Sequence, residues 1–461
     1  MPARRRAAVA ALALALALPL TRRAAAHTMG TIFSSPVDSD SAAVFWNPAA
    51  MAGATSSRFD LVANLSIPQS TYQRRGIDDA QTGRPFPKVS LVSVRPEPLL
   101  GLIIDKLWHR RLRIGFDVLL PQAAGAAWPE YAADSNGARV LGPTRYHVTD
   151  AQVFTVFAQL GFSIVLHETF ALGASVNVVL SRLSVNKHVD LANQPGVRDM
   201  LPCAQNPLGC ENPALSTPLT LSGTGVSAGG SVGLFWQPIR RLRIGASYLS
   251  PAKVPVAVRL EVDSKQLSDF ARQFLPGFGT IPINGSGQVT VTVPMRAHLA
   301  IAGDVHPRVE LMALVRWINS SASEVVSGAI TQKSSSLAPD ALRIASVKND
   351  EWMVTLRVLG RIRERWKLAA SFEFVTSTVP EAFMTPSNLD FNSLTINLGA
   401  NVRLTRTLAL GASFSQSIVF ARDVARSAFA NDAPEPFNLP DPGGHYTANS
   451  EKLGVDLTAL F

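Results

Sequence analysis

The 461-residue sequence predicts an all-β fold, a transmembrane antiparallel β-barrel of about fourteen strands. Three observations carry this. From Ser57 onward, segments of about ten residues alternate apolar with small or polar side chains. These segments come in pairs, joined in turn by very short and much longer connections. The chain closes on an amphipathic segment that ends in Phe461.

The alternation is plain in individual segments. Phe170, Leu172, Ala174, Val176, Val178 and Leu180 interleave with Ala171, Gly173, Ser175, Asn177, Val179 and Ser181. Leu394, Ile396, Leu398, Ala400, Val402 and Leu404 interleave with Thr395, Asn397, Gly399, Asn401 and Arg403. Successive strand side chains point to opposite faces, so each set lines one face. In water the apolar face packs on a second sheet. In lipid it forms the outer wall, and closure pairs every backbone group.

The short connections share a local pattern. Arg111-Leu112-Arg113-Ile114-Gly115 is similar to Arg241-Leu242-Arg243-Ile244-Gly245. Phe170-Ala171-Leu172-Gly173, Trp366-Lys367-Leu368-Ala369 and Leu408-Ala409-Leu410-Gly411 follow it, with Val309-Glu310-Leu311-Met312 a looser copy. Six such turns mean six hairpins closed on the periplasmic side, and a first and a last strand complete an even count. Trp108, Trp236 and Trp366 beside the short turns, with Trp317 and Trp352 near the opposite ends, are placed as two aromatic girdles.

Composition agrees. The formal charge is +9, and removing the five arginines of the first 26 residues leaves about +4. The remaining basic residues are scattered, which argues against a nucleic-acid partner. Hydrophobic residues make up 47%, yet no segment after the N-terminal run is long and uncharged enough for a membrane helix. A soluble β-sandwich or solenoid is the competing architecture.

Residues 1–26 read as a signal peptide. Arg4, Arg5 and Arg6 precede an apolar run from Ala7 to Leu20, and Ala24-Ala25-Ala26 supplies small residues for cleavage before His27. The run falls short of the roughly 20 residues that a spanning helix takes, which disfavours an uncleaved anchor. At the other end, Leu453, Val455, Leu457, Ala459 and Phe461 share one face. A last strand ending in phenylalanine resembles the terminal strand of outer-membrane barrels.

The longer connections run near residues 73–87, 122–150, 183–224, 263–287, 321–349, 379–391 and 421–449, all rich in Pro, Gly, Asn and Ser. In the fourth, Leu267, Phe270, Ala271, Phe274 and Leu275 recur at helical spacing and predict a short amphipathic helix. In the third, Cys203 and Cys210 read as a disulfide that staples the loop.

Other motifs carry no chemistry. Gly225-Val226-Ser227-Ala228-Gly229 matches a nucleophile elbow but continues into an alternating strand instead of a helix. Gly223-Thr224-Gly225 is likewise without the helix that a dinucleotide needs. The eight histidines are dispersed, without metal-ligand spacing. The expectation is no enzyme, no cofactor and no metal.

Between the N-terminal run and the first strand lies Asp38-Ser39-Asp40-Ser41-Ala42-Ala43-Val44-Phe45-Trp46-Asn47-Pro48-Ala49. An acidic and small run, an aromatic residue and Asn-Pro-Ala resemble the hatch of the FadL/TodX outer-membrane transporters for long-chain fatty acids and other hydrophobic compounds. The resemblance implies residues 27–53 as an N-terminal hatch, or plug, inside a barrel of residues 54–461. It implies capture of a hydrophobic molecule by outer loops, hatch movement and lateral release through a kinked third strand, here Leu112 to Leu120, with Pro121 as the marker. Candidate lining is Phe45, Trp46, Asn47 and Pro48 of the hatch and Phe270, Phe274, Leu275 and Phe278 of the loop helix. Asp117, Arg316, Arg357, Glu373, Arg403 and Asp456 point inward and are expected to form a mutually paired network. The expected function is passive uptake of hydrophobic molecules (fatty acids or hydrocarbons), with long-chain fatty acids the first expectation, by a monomer in contact with outer-membrane lipid and lipopolysaccharide. A general porin for small polar solutes is the alternative.

Overall fold

The computed structural model describes residues 29–79, 81–107, 111–190, 211–263, 283–323, 325–334, 341–345, 347–430 and 439–461. Among them is a closed antiparallel barrel of fourteen strands. The signal segment 1–26, His27, Trp108, Cys203, Cys210 and the loop helix with Phe270, Phe274, Leu275 and Phe278 lie outside the described residues.

The strands are β1 (Arg58–Arg74), β2 (Arg95–Leu107), β3 (Leu112–Ala127), β4 (Asp150–His167), β5 (Phe170–Asp190) and β6 (Ser216–Ile239). Next come β7 (Leu242–Leu249, continuing as Ala252–Val262), β8 (Ile283–Val293 and Arg296–His306), β9 (Val309–Ile318 and Val325–Lys333) and β10 (Ala341–Ala345 and Glu351–Ile362). β11 (Trp366–Val375), β12 (Ser393–Arg403), β13 (Leu408–Val419) and β14 (Gly444–Leu460) finish the wall. Pro251 and Pro294 fall in the breaks of β7 and β8, where a residue without an N–H interrupts the ladder. β1 pairs with β14 along its whole length and with β2 on its other side, so the first and last strands leave no edge.

The two faces are inverted relative to a soluble protein. Val176, Leu356 and Phe372 on the outer face are more than half exposed, while Asp60, Asn64, Gln159, Asn177, Thr395 and Asn397 on the inner face are buried. Lipid covers the outer band, and the lumen supplies the polar side with partners. Trp236, Trp352 and Trp366 are exposed on the wall, in keeping with the aromatic girdles.

Several strands are longer than the alternation predicts. β5 and β6 pair from Phe170↔Trp236 to Asp190↔Ser216, well into the stretch expected as loop. Backbone pairing continues above the apolar band because a partner strand is present, whatever the side chains. The third strand likewise does not stop at Leu120; it runs through Pro121 to Ala127.

Candidate functional site

Inside the lower barrel sits the N-terminal segment, built from α1 (Ala43–Trp46) and a 3-10 turn (Pro48–Gly53). Asn47 joins them. Its Oδ1 accepts from Ala49 N at 3.1 Å and caps the turn, and Pro48 takes the first position, where no N–H is needed. Its Nδ2 donates to Pro36 O at 2.8 Å and to Leu234 O of β6 at 2.9 Å. The side chain is wholly buried, and each of its polar atoms is used.

The close approach depends on two glycines that face each other across β5 and β6, Gly173 and Gly233. A Cβ at Gly173 would overlap Ala49 N, and one at Gly233 would overlap Asn47 Oδ1. The leucine-glycine and isoleucine-glycine pairs after the short turns are thus partly the sequence trace of this packing.

Polar bonds peg the segment around its circumference. Asn64 Nδ2 donates to Gly30 O (2.8 Å), Ser163 Oγ to Ala49 O (3.1 Å) and Ser247 Oγ to Trp46 O (2.5 Å). Trp46 Nε1 donates to Met29 O at 3.0 Å. Arg357 bridges Asp38 (2.8 Å) and Glu310 (3.3 Å) and donates to Ile32 O (3.1 Å). Arg243 reaches Glu310 at 2.7 Å, and Arg58 holds Asp60 at 2.7 Å.

Above the segment the inner wall is apolar on one side. Phe45 lies with its ring centroid 6.3 Å from that of Phe157. Leu119, Phe157, Val179, Leu221, Val256 and Val289 continue the surface in one buried cluster with Phe45. His298 and Arg296 flank Phe45 on the other side, at 6.3 Å and 5.7 Å from its ring centroid.

The wall is incomplete beside this surface. β2 and β3 pair from Leu107↔Leu112 up to Leu99↔Leu119 and no further, although both strands continue. On its other side β3 shifts register against β4 between Leu119 and Gln122, a bulge that includes Pro121. Pro96 and Pro98 on β2 and Pro121 on β3 remove three ladder donors where the pairing stops. Arg95 reaches across, donating to Gly125 O.

A second apolar cluster covers the outer ends of β1 and β14. Tyr72 and Tyr446 stack at 4.7 Å, and Trp128, Val148, Met384 and Phe391 from the loops join them. Trp128 Nε1 donates to Pro386 O at 2.9 Å. Next to it, Glu211 is clasped by Arg74 and, at 3.1 Å, by the fully buried Arg145. Burial works to raise the Glu211 carboxyl, and the two arginines together bring it below its ordinary value. Burial pushes the His147 imidazole down to about 3; its Nε2 contacts Pro440 O at 2.8 Å.

Of the expected lining, Phe45, Trp46, Asn47 and Pro48 are brought together and buried. Phe45 turns its ring towards Phe157, whereas the polar atoms of Asn47 are spent on backbone. The inward charges differ from expectation. Arg316 pairs with Glu351 (2.6 Å), Arg357 with Asp38 and Glu310, and Asp456 accepts from Asn401 (3.2 Å). Arg403 is exposed, and both Asp117 carboxylate oxygens are buried without a partner. The segment brings Asp38 into the lumen, and Arg357 and Arg243 pair with it as well as with Glu310 of the wall. Sequence reading missed Arg145 and Glu211, which meet only because two distant loops fold over one strand end.

Comparisons with known proteins agree with this geometry. The family model described as outer membrane protein transport protein (OMPP1/FadL/TodX) matches residues 6–459. Comparison with curated protein sequences gives no match. The crystal structure of a Pseudomonas aeruginosa FadL homologue superposes with a TM-score of 0.75 at 17% identity, covering 96% of this chain and 100% of that one. The P. putida toluene transporter TodX gives 0.63 at 12% identity over 92% and 94%. The CymD monoaromatic hydrocarbon channel gives 0.61 at 11% identity over 94% and 99%. At such identities these structures establish the shared fold, and the family match extends over nearly the whole sequence. The chain belongs to the FadL/TodX family of outer membrane transport proteins.

Proposed function

We propose that this chain mediates passive uptake of hydrophobic molecules, with long-chain fatty acids as the cargo, and releases them sideways between β2 and β3. The observation that carries this reading is the apolar inner surface from Phe45 through Leu119 and Phe157, which ends beside the unpaired stretch of β2 and β3. An alkyl chain gains about 0.8 kcal/mol per buried methylene, so a continuous apolar track suits a long chain better than a polar solute. On the lipid side, Leu120, Phe154, Val156, Leu180 and Val226 line a depression of about 510 Å³ near the same bulge. In this reading the N-terminal segment is the hatch, the apolar cluster of the outer loops forms the receiving end, and Pro121 keeps the exit open by preventing regular pairing. Phe45 forms the floor of the track; Trp46, Asn47 and Pro48 hold that floor in place.

Uptake into proteoliposomes tests it, with a labelled long-chain fatty acid, toluene and a small sugar compared. Protein-dependent fatty acid transfer with negligible sugar flux supports the proposal. Transfer of toluene alone moves the cargo to monoaromatic hydrocarbons. Rapid sugar entry without fatty acid transfer makes the protein a porin.

A further inference from the structure

The row of inward side chains at the level of Asp117 contains an unsatisfied polar gap. Neighbouring strands place Asp60, Gly101, Asp117 and Gln159 side by side in register on β1 to β4. Ser41 of the N-terminal segment fills the space that Gly101 leaves, with its N–H donating to Asp60 at 3.0 Å. It therefore stands between Asp60 and Asp117. Its hydroxyl is buried and bonds to neither.

The same holds around it. Asp117 and Gln159 are fully buried, and both side-chain oxygens of the first and both amide atoms of the second have no hydrogen-bond partner. Asp40 Oδ1, from the adjacent residue of the segment, is also buried and unpartnered, while its Oδ2 accepts from Ser34 at 2.5 Å. The Asp40 and Asp117 carboxylates act on one another with like charge. Arg58 makes two hydrogen bonds to Asp60 and lends its charge to Asp40 without a hydrogen bond, and Arg357 and Arg243 pair with Asp38 and Glu310, so no base bonds Asp117 or Asp40 Oδ1. Buried ionised carboxylates are costly unless a cation or a strong hydrogen-bond donor meets them.

We propose that Asp117, Asp40 Oδ1, Gln159 Oε1 and Ser41 Oγ form a binding site for a hard divalent cation of the Ca²⁺ type. All of the donors are oxygens, both charged and neutral, which is the set such an ion selects, with water completing its shell. The ion would neutralise the two carboxylates and satisfy the serine and glutamine oxygens together. It would also tie the N-terminal segment to β3 one inward residue below Leu119, where the pairing with β2 stops. The site thus links the position of the segment to the strand that carries the bulge. It stands whatever molecule the barrel conducts.

The test is equilibrium dialysis of the purified full chain in detergent against radiolabelled Ca²⁺ at mildly alkaline pH, after removal of bound metal with a chelator. The native protein is expected to hold one Ca²⁺ more per chain than Asp117→Asn, and Asp40→Asn is expected to weaken the same site. Ca²⁺ is expected to slow amide exchange across residues 31–44 in the native chain and not in Asp117→Asn. Heat-dependent gel mobility shows that each barrel is closed. Should Asp117→Asn fail to close, Asp40→Asn, which lies outside the wall, serves in its place. Equal Ca²⁺ stoichiometry in native and variant proteins overturns the proposal. So does binding that leaves exchange across residues 31–44 unchanged.

Discussion

Asn47 Nδ2 donates to the carbonyl of Leu234 at 2.9 Å, joining residues 187 apart in sequence. The same amide holds Pro36 O and caps its own turn, so one side chain ties the N-terminal segment to itself and to the wall.

Replacing Asn47 with alanine removes these bonds and leaves two carbonyls and the Ala49 N–H without this partner inside the barrel. Each orphaned group costs roughly 1–3 kcal/mol. The loss falls on the docking of the segment, because the barrel ladder contains none of these bonds. Asn47→Ala is expected to form a normal heat-modifiable barrel with faster amide exchange across residues 36–54 and raised sugar leakage. Unchanged leakage would refute the anchoring role.

Gly173→Val tests the same contact from the wall. A Cβ at this position overlaps Ala49 N, and the backbone of a pegged turn cannot yield. The segment is expected to be displaced and conductance in planar bilayers to rise. Val176→Ala, on the lipid face of the same strand, is the control and should leave conductance as it is.

Deleting Pro121 removes the extra residue of the bulge and allows β3 a regular register with β4. Fatty acid uptake is expected to fall towards the protein-free background while sugar exclusion is retained. Full uptake by the deletion variant would place the exit elsewhere.

The outer loops carry a pH dependence of definite sign. His147 titrates at about 3 when folded and at 6.5 when free. The unfolded loop therefore binds more protons between these values, and the stability of the folded loop, complete above 6.5, is lost as pH falls through that window. Glu211, lowered by its arginines, acts in the same direction at lower pH. Proteolytic nicking of the outer loops is expected to increase on acidification, and His147→Gln should flatten the upper part of the curve.

Glu211→Gln leaves the buried Arg74 and Arg145 without their shared counter-charge. Breaking a buried pair in this way costs on the order of 3 kcal/mol. Protease sensitivity of the outer loops should rise at neutral pH, with the barrel still closed on gels. Insensitivity would mean that the arginines find other partners.

The outer wall was legible in the sequence. Strand periodicity is a local property, so Leu172 to Leu180 could be assigned to lipid and Ser175 and Asn177 to the lumen from spacing alone. The six short turns followed from the local pattern they share, fullest in the two Arg-Leu-Arg-Ile-Gly stretches at 111–115 and 241–245, and the strand count followed from the turns. Where apolar alternation faded, as above Leu183 or past Leu120, the ladder went on, because pairing depends on a neighbour and not on the strand's own side chains.

What sequence alone determined is therefore which residues meet lipid, how many times the chain crosses, and that Asp38 to Ala49 is a distinct segment preceding the wall. Tertiary structure decided what that segment touches. Gly173 and Gly233 show their purpose only when Ala49 and Asn47 lie against them, and the unpartnered Asp117 shows only once Ser41 is seen beside it in the space that Gly101 leaves. The reason is physical. Facing lipid requires one property of each side chain, whereas packing and charge pairing inside a closed lumen require specific partners, and closure supplies these from strands hundreds of residues apart.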